Sequence, residues 1–263
     1  MTKVSDVLNA LEALAPLSYK MDFDNVGLLA GDPSAEVSKV LLSLDITRDV
    51  VSEASSAGAE LIVSHHPIMF QAKSIIAGDP QTGKIFELIR SGISAVCMHT
   101  NLDSAVGGVN DALAEAVGLI NLEPLERAGE GEKGIHGIGR IGTLPEKTLL
   151  SAYLPKLKAA LNTNGLRYYD SGRPVSRVAV GGGSCGGYLA LAAELGCDTF
   201  LTADVKYDVF LEAKERGMNI VDGDHFCTES VVIPRLFDKI KRAFPELEVS
   251  CSKVHSQTAM FFV

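Results

Sequence analysis

Two adjacent histidines, His65 and His66, directly follow the short apolar run Leu61-Ile62-Val63 and Ser64. A buried strand seldom ends on two imidazoles for reasons of packing, so metal binding is the first chemistry to consider. Imidazoles combined with carboxylates are the ligands that zinc, manganese, iron and cobalt accept. Three further polar clusters supply such groups: His99-Thr100-Asn101-Leu102-Asp103, Asp222-Gly223-Asp224-His225, and Glu229.

These clusters follow predicted strands of an α/β pattern. We predict strands at 39–45, 60–64 and 93–98 and helices at 47–56, 82–90 and 108–117. Short apolar strands that alternate with helices indicate a mostly parallel sheet covered on both faces. Because ligands of such sheets bind beyond the carboxyl ends of the strands, one shared site is predicted.

The same alternation recurs in the second half of the chain. We predict strands at 135–144, 177–180, 198–202, 219–221 and 248–251 and helices at 148–161, 188–195, 207–216 and 228–244. The stretch 121–132 is polar and is interrupted by Pro124, Gly129 and Gly131, which favours a linker or domain edge. We therefore predict an N-terminal α/β domain at 1–125, with the C-terminal segment as a candidate to complete it, and a second α/β domain at 126–263.

The spacing of the candidate ligands favours two metal ions over one. Adjacent histidines in a tight loop point in different directions, and Pro67 restricts His66 to extended backbone. His225 and Glu229 stand at i and i+4 of the predicted helix, so they share one face. A carboxylate such as Asp103 or Glu229 could then bridge cations about 3.5–4 Å apart.

Each feature has an ordinary interpretation when taken alone. A His-His pair is more often a loop contact, and His-x-x-x-Glu on a helix is more often a cap or an ion pair. Their joint occurrence at predicted strand ends favours a metal site. We interpret His99 as a residue that orients a ligand or moves a proton, which makes it our catalytic candidate. His136 and His255 are interpreted as structural or surface histidines.

The glycine-rich tract at 181–187 allows two interpretations. Such a tract before a helix can cradle a phosphate, but this one lacks the Gly-Lys-Ser/Thr ending of a phosphate-binding loop. A tight turn that passes close to the metal site is the favoured alternative. Covalent catalysis is disfavoured, because there is no nucleophile elbow and no cysteine with a paired histidine.

Composition excludes several classes of protein. The 263 residues are 46% hydrophobic and 22% charged, and no run approaches the ~18 apolar residues of a membrane span. The amphipathic start at 1–20 does not resemble a signal peptide, so we expect a cytoplasmic protein without a membrane partner. Five scattered cysteines without Cys-x-x-Cys spacing argue against disulfides or a zinc finger. A net charge of -9 without a basic block argues against a nucleic-acid partner, leaving open only a local basic patch.

Six motifs carry a resemblance to a known family. In order they are Asp24-Asn25-Val26-Gly27-Leu28, Ser64-His65-His66-Pro67-Ile68, His99-Thr100-Asn101-Leu102-Asp103, Gly107-Gly108-Val109-Asn110-Asp111, Gly223-Asp224-His225 and Thr228-Glu229. Their combination resembles the Nif-three-like family, the GTP cyclohydrolase 1 type 2 homologues, over almost the whole chain. The resemblance implies two similar three-layer α/β domains with mostly parallel sheets, a dinuclear metal site in the cleft between them, and a toroidal homohexamer.

The resemblance also implies the ligands and a function. It assigns two divalent ions per subunit (zinc, manganese, iron or cobalt) to the ligands His65, His66, Asp103, His225 and Glu229. The implied function is a dinuclear metal-dependent hydrolase, in which a metal-activated hydroxide attacks a purine nucleotide or related substrate, at C8 of GTP with release of formate. The alternatives are a metal-dependent phosphoesterase or nucleotidase, a non-enzymatic hexameric assembly that stores, delivers or senses metal, and a scaffold for a protein partner.

Three positions depart from the family's pattern. Asp208 stands where the family commonly has histidine, Phe23 where tryptophan is frequent, and Cys227 where a small residue is usual. The change at Asp208 would affect substrate contacts or proton transfer. All five implied ligands are intact.

Overall fold

The computed structural model describes residues 1–71 and 74–261. The chain forms two compact units. Unit 1 contains Met1–Ala105 and Ile233–Ser256, and unit 2 contains Val106–Val232 and the segment that begins at Gln257. Both units contain helices around a central sheet, which is mostly parallel in unit 1 and mixed in unit 2, and this confirms the predicted α/β class. Within the described part of the chain, no helix is long and apolar enough to cross a membrane.

Unit 1 is built on a five-stranded sheet. The strands are β1 (Gly27–Ala30), β2 (Lys39–Ser43), β3 (Leu61–Ser64), β4 (Ser94–Cys97) and β13 (Glu248–Cys251). Their order is β1-β4-β3-β2-β13; β2, β3, β4 and β13 are parallel, and β1 pairs antiparallel with β4. The helices are α1 (Val4–Glu12), α2 (Arg48–Ala57), α3 (Gly83–Arg90), α4 (Thr100–Ser104) and α10 (Ile233–Ala243), with a 3-10 turn at Leu17–Tyr19.

Local sequence explains why these elements form. Every residue of β3 and β4 is buried, as expected for parallel strands covered on both faces. Helix α2 begins where the Thr47 side chain accepts the Val50 amide, and it ends at Gly58 in the left-handed region, with φ of 68°. These signals fix where α2 ends and β3 can begin. The residues that follow β3 are therefore held at the carboxyl end of a central strand.

Unit 2 is built on a six-stranded sheet. The strands are β5 (Ile120–Pro124), β8 (Arg140–Thr148), β9 (Arg167–Tyr169), β10 (Val175–Val180), β11 (Thr199–Thr202) and β12 (Asn219–Asp222). Their order is β5-β8-β10-β11-β12-β9; β10, β11 and β12 are parallel, and the other pairings are antiparallel. A separate hairpin joins β6 (Gly129–Gly131) and β7 (Gly134–His136). The helices are α5 (Val109–Ala116), α6 (Leu150–Ala160), α7 (Leu189–Glu194), α8 (Tyr207–Arg216) and α9 (His225–Glu229), with 3-10 turns at Gly186–Tyr188 and Ser230–Val232.

The sheet of unit 2 carries a hydrophobic core on each face. Successive residues of β11 divide between the two cores: Phe200 packs with Ala192 and Ile220, and Leu201 packs with Val178 and Val221. This alternation follows from the two-residue period of a strand. Helices therefore cover both faces, giving a layered α/β unit.

The boundary between the units differs from the predicted division at residue 125. It falls after Ala105, because Leu113 and Ala114 of α5 belong to a core cluster of unit 2. The stretch 121–132, predicted as a linker or domain edge, contains most of β5 and all of β6. Strand β5 is polar because it is an edge strand that pairs on one side only, with β8.

The predicted helix at 228–244 is interrupted. Helix α9 ends at Glu229, the turn Ser230–Val232 follows, and α10 starts at Ile233. Pro234 lacks the backbone N–H that would continue the helical hydrogen bonds to Ser230, which explains the break. Helix α10 and β13 belong to unit 1, where β13 pairs with β2, so the C-terminal segment completes the first sheet.

A buried ion pair joins α5 to β8 inside unit 2. Arg140 is 2% exposed, and its Nε and Nη2 donate to Oδ1 and Oδ2 of Asp111 at 2.7 and 3.0 Å. The remaining Nη1 donates to the carbonyl oxygens of Gly137 and Gly139, both at 2.7 Å. This bidentate geometry compensates the buried guanidinium charge, so Asp111 has a structural role.

We expect Asp111→Ala to lower the free energy of unfolding by about 3–5 kcal/mol, because it leaves the Arg140 charge buried without its carboxylate. Urea unfolding followed by circular dichroism measures the loss. The control is Glu212→Ala, which removes an exposed i,i+4 ion pair with Arg216 and should change stability by less than about 1 kcal/mol. Equal small effects of the two substitutions would contradict the structural role.

Candidate metal centre

Three histidines of unit 1 lie together at the carboxyl ends of β3 and β4. These strands are parallel neighbours, with Ser64 opposite Cys97 at their ends. His65 and His66 follow β3, and His99 follows β4. The centroid of the His65 ring lies 5.0 Å from that of His66 and 5.2 Å from that of His99. One ring nitrogen of each histidine lies within 4.8 Å of the others, so the trio could hold a metal ion.

Each imidazole of this trio uses Nδ1 in a hydrogen bond to an oxygen atom. The three bonds are all 2.8 Å long: His65 to the carbonyl of Met98, His66 to Oδ1 of Asp45, and His99 to Oδ1 of Asp24. Carbonyl and ionised carboxylate oxygens only accept, so the ring proton resides on Nδ1. The lone pair of a neutral ring then resides on Nε2, the arrangement that metal-binding histidines have in proteins.

Asp103 lies beside the first of these histidines. Its Oδ1 is 3.6 Å from Nε2 of His65, which is too long for a hydrogen bond but compatible with two ligands of one cation. Asp103 lies on α4, whose Asn101 donates to the carbonyl of Ala15 at 2.8 Å and fixes the helix to unit 1. The structure thus brings together His65, His66, His99 and Asp103 in unit 1.

Asp24 fixes the orientation of His99. It accepts from Nδ1 of His99, from the amide of Thr100 at 3.0 Å, and from the Thr100 hydroxyl. Burial alone would raise the pKa of Asp24, but the hydrogen bonds from His99 and Thr100 outweigh it and hold the pKa well below its usual range. Asp24 therefore stays ionised, and its place in the first sequence motif is explained by this contact.

Asp45 holds His66 in the same way and carries a second histidine. Its Oδ2 accepts from Nε2 of His255 at 2.9 Å. Burial tends to raise the pKa of Asp45, but the hydrogen bonds from His255 and His66 hold it well below its usual range. The sequence interpretation of His255 as a structural or surface residue missed this contact, because 210 residues separate the pair.

In unit 2, His225 and Glu229 form the predicted i,i+4 pair on α9. Nε2 of His225 lies 3.2 Å from Oε2 of the buried Glu229, and its Nδ1 bonds Oδ2 of Asp204 at 2.7 Å. Burial lowers the pKa of His225, but the bonds to Glu229 and Asp204 outweigh it and raise the pKa to about 9. Two carboxylates around one imidazole favour a cation at this point, either a proton on the ring or a metal ion. Asp224 caps α9 by accepting the Cys227 amide at 3.1 Å.

The glycine tract passes close to this pair. Gly183 has φ of +64°, and a Cβ added there would lie 2.1 Å from Oε1 of Glu229 and 3.1 Å from Nε2 of His225. The amides of Gly182 and Gly183 donate to the side chains of Asn110 and Thr228, at 2.9 and 3.1 Å. These amides are bonded within the protein, which favours the tight-turn interpretation over a phosphate cradle.

Two of the remaining predicted positions lie apart from these contacts. Asp208 is exposed in the first turn of α8. His136 lies on β7, where burial and the charge of Arg140 lower its pKa.

Comparison with known proteins agrees with the motifs. The family model described as Duf34/NIF3 (NGG1p interacting factor 3) matches residues 2–258. The GTP cyclohydrolase 1 type 2 homolog of Clostridium perfringens is 36% identical over 254 residues, which cover 95% of this chain and 96% of the relative. Among solved structures, hypothetical protein SA1388 of Staphylococcus aureus has a TM-score of 0.92 at 29% identity, covering 99% of both chains. Reduced HcgD of Methanocaldococcus jannaschii has a TM-score of 0.80 at 26% identity, covering 95% of this chain and 97% of that one. The chain belongs to the DUF34/NIF3 family.

Proposed function

We propose that this chain is a dinuclear metal-dependent hydrolase whose ligands are His65, His66 and Asp103 in unit 1 and His225 and Glu229 in unit 2. The observation that carries the proposal is the orientation of the histidines. Nδ1 of each proposed histidine ligand bonds an oxygen atom. Nε2 is thereby the remaining ring nitrogen that can bind a metal ion, as in metal-binding histidines.

The chemistry of these side chains fits the proposed ions. Three imidazoles and two carboxylates suit zinc, manganese, iron or cobalt, and a carboxylate can bridge two ions. Gly183 leaves room at Oε1 of Glu229 that any larger residue would fill. When bound, the two ions would lower the pKa of a shared water and stabilise negative charge that develops on the substrate.

His99 is the proposed proton carrier. Asp24 fixes its ring through Nδ1, so Nε2 can accept a proton from the attacking water and return it to the leaving group. The half-exposed ring of Phe70 lies 5.9 Å from the ring of His99 and offers an aromatic face for a planar base. The proposed substrate is accordingly a purine nucleotide or a related compound. Two successive hydrolytic steps at C8, each consuming one water and breaking one C–N bond, would open the ring and then release formate.

We expect His65→Ala and Glu229→Ala each to lose metal while the fold survives, because each removes a proposed ligand of one unit. Elemental analysis of purified protein measures metal per subunit, and circular dichroism checks folding. His136→Ala, outside the proposed site, is the control and should keep the wild-type metal content. Unchanged metal content in both ligand variants would rule out the proposed site.

The homohexamer that the family resemblance implies is tested separately. Native mass spectrometry of the same samples measures the number of subunits.

We expect Gly183→Ala to lose metal without any change of ligand residue, because its Cβ would displace Glu229. Gly196→Ala is a matched control: Gly196 also has positive φ, at +78°, but no atom lies within 4 Å of an added Cβ. Both variants should lose stability by about 1 kcal/mol from backbone strain, and Gly183→Ala should lose more. Elemental analysis and thermal unfolding separate the two effects. Equal metal content in the two variants would show that Gly183 provides no room for Glu229.

We expect the metal-reconstituted protein to release formate from GTP and His99→Ala to lower that rate by about 100-fold or more while keeping its metal. Formate is measured with a coupled dehydrogenase assay and phosphate with a colorimetric assay. Release of phosphate alone would replace the proposed ring opening with a phosphoesterase activity. Tight, reversible metal uptake without turnover of any nucleotide tested would refute the hydrolase and favour a metal carrier.

A further inference from the structure

We propose that His255 is a positioning residue for the metal centre, holding Asp45 so that Asp45 can orient the ring of His66. This inference rests on the proposed function, because it takes His66 as a metal ligand. It assigns a role to the C-terminal segment, in which the sequence motifs mark no residue.

One carboxylate lies between two imidazoles in this arrangement. Oδ1 of Asp45 accepts from Nδ1 of His66 at 2.8 Å, and Oδ2 accepts from Nε2 of His255 at 2.9 Å. The amide N–H of Asp45 also points at Nε2 of His255, at 3.2 Å, but the ionised carboxylate can only accept, so the ring proton on Nε2 is donated to Oδ2. Both oxygens of Asp45 are thus used, each by a different histidine.

The exposure of the three side chains explains why a second histidine is needed. The side chain of Asp45 is 41% exposed, whereas those of His66 and His255 are 21% and 12% exposed. A carboxylate that exposed would exchange its hydrogen bond with water and rotate. Because His255 is nearly buried, it fixes the second oxygen and limits that rotation.

His255 is itself held in place by the turn after β13. The amide of Ser252 donates to the carbonyl of Leu42 at 2.8 Å, and the amide of Lys253 donates to Oε1 of Glu53 at 2.9 Å. The amide of His255 donates to Oγ of Ser252 at 3.2 Å. The turn is therefore anchored to β2 and α2, which gives His255 a fixed starting point from which to support a ligand.

The test is the metal affinity of full-length protein, stripped of metal and titrated with Co²⁺ against a competing chelator. Loss of a residue that supports a metal ligand typically weakens metal affinity by about 10–100-fold, and we expect His255→Ala to weaken the site by at least ~10-fold. The visible Co²⁺ spectrum should change as well, because it reports ligand geometry. His255→Gln keeps an N–H donor and should restore most of the affinity. Val254→Ala, a neighbouring exposed position, should bind as the wild type does.

A double-mutant cycle identifies the route of the effect. If His255 acts through Asp45, His255→Ala should add nothing to the loss caused by Asp45→Asn. Independent, additive losses would overturn the proposal. So would a His255→Ala protein that keeps wild-type affinity and spectrum but unfolds at lower temperature without metal, since that result indicates a purely structural role.

The failure of this inference can be separated from the failure of the proposed function. If His66→Ala keeps both ions, His66 is not a ligand and the proposed centre is wrong. If His66→Ala loses an ion while His255→Ala and its Co²⁺ spectrum match the wild type, only the role of His255 is wrong.

Discussion

The hydrogen bond from Nδ1 of each site histidine to a fixed oxygen is the interaction on which the candidate centre depends. It sets the tautomer of the neutral ring, limits its rotation, and leaves Nε2 as the nitrogen that could bind a metal ion. Without it, the ring of His65 or His66 would have two accessible tautomers and several rotamers. The acceptors differ in strength: Met98 offers a neutral carbonyl, whereas Asp24, Asp45 and Asp204 offer carboxylates.

The sheets supply these acceptors because their strand ends carry both partners of each bond. Asp45 follows β2, His66 follows β3 and His99 follows β4, so three neighbouring parallel strands of unit 1 contribute to one cluster. In unit 2, residues that follow strands also support a proposed ligand, and two of them have a strained backbone. Asp204 after β11 and Asp224 after β12 have positive φ, at 51° and 75°. One holds His225 and the other caps α9, so the strained positions coincide with the support of the proposed ligands.

The sequence predicted what local patterns encode and missed what tertiary contacts decide. Apolar runs ending in His65 and in His99, the i,i+4 pair on α9, and β13 over Glu248–Cys251 were all read from short windows. The supporting acceptors were not, because a hydrogen bond across 75 or 210 residues leaves no periodic signal. The polar composition of 121–132 led to an incorrect prediction of a linker or domain edge there, because an edge strand and a loop have similar composition. Pro234 already indicated a break near the start of α10, but the helical periodicity of the segment led us to predict one continuous helix.

The motifs divide into residues that offer the proposed ligand atoms and residues that make space for them. Asn110 and Thr228 belong to different motifs, yet both accept backbone amides of the glycine turn, from Gly182 and Gly183. Holding that turn in place keeps Gly183 against Oε1 of Glu229, where no side chain would fit. Asp111, next to Asn110, secures α5 to β8 through Arg140, so the helix that carries Asn110 is itself fixed. Hydrogen bonds therefore lead from the core of unit 2 to the glycine that packs against a proposed ligand, which accounts for motif residues that offer no ligand atom themselves.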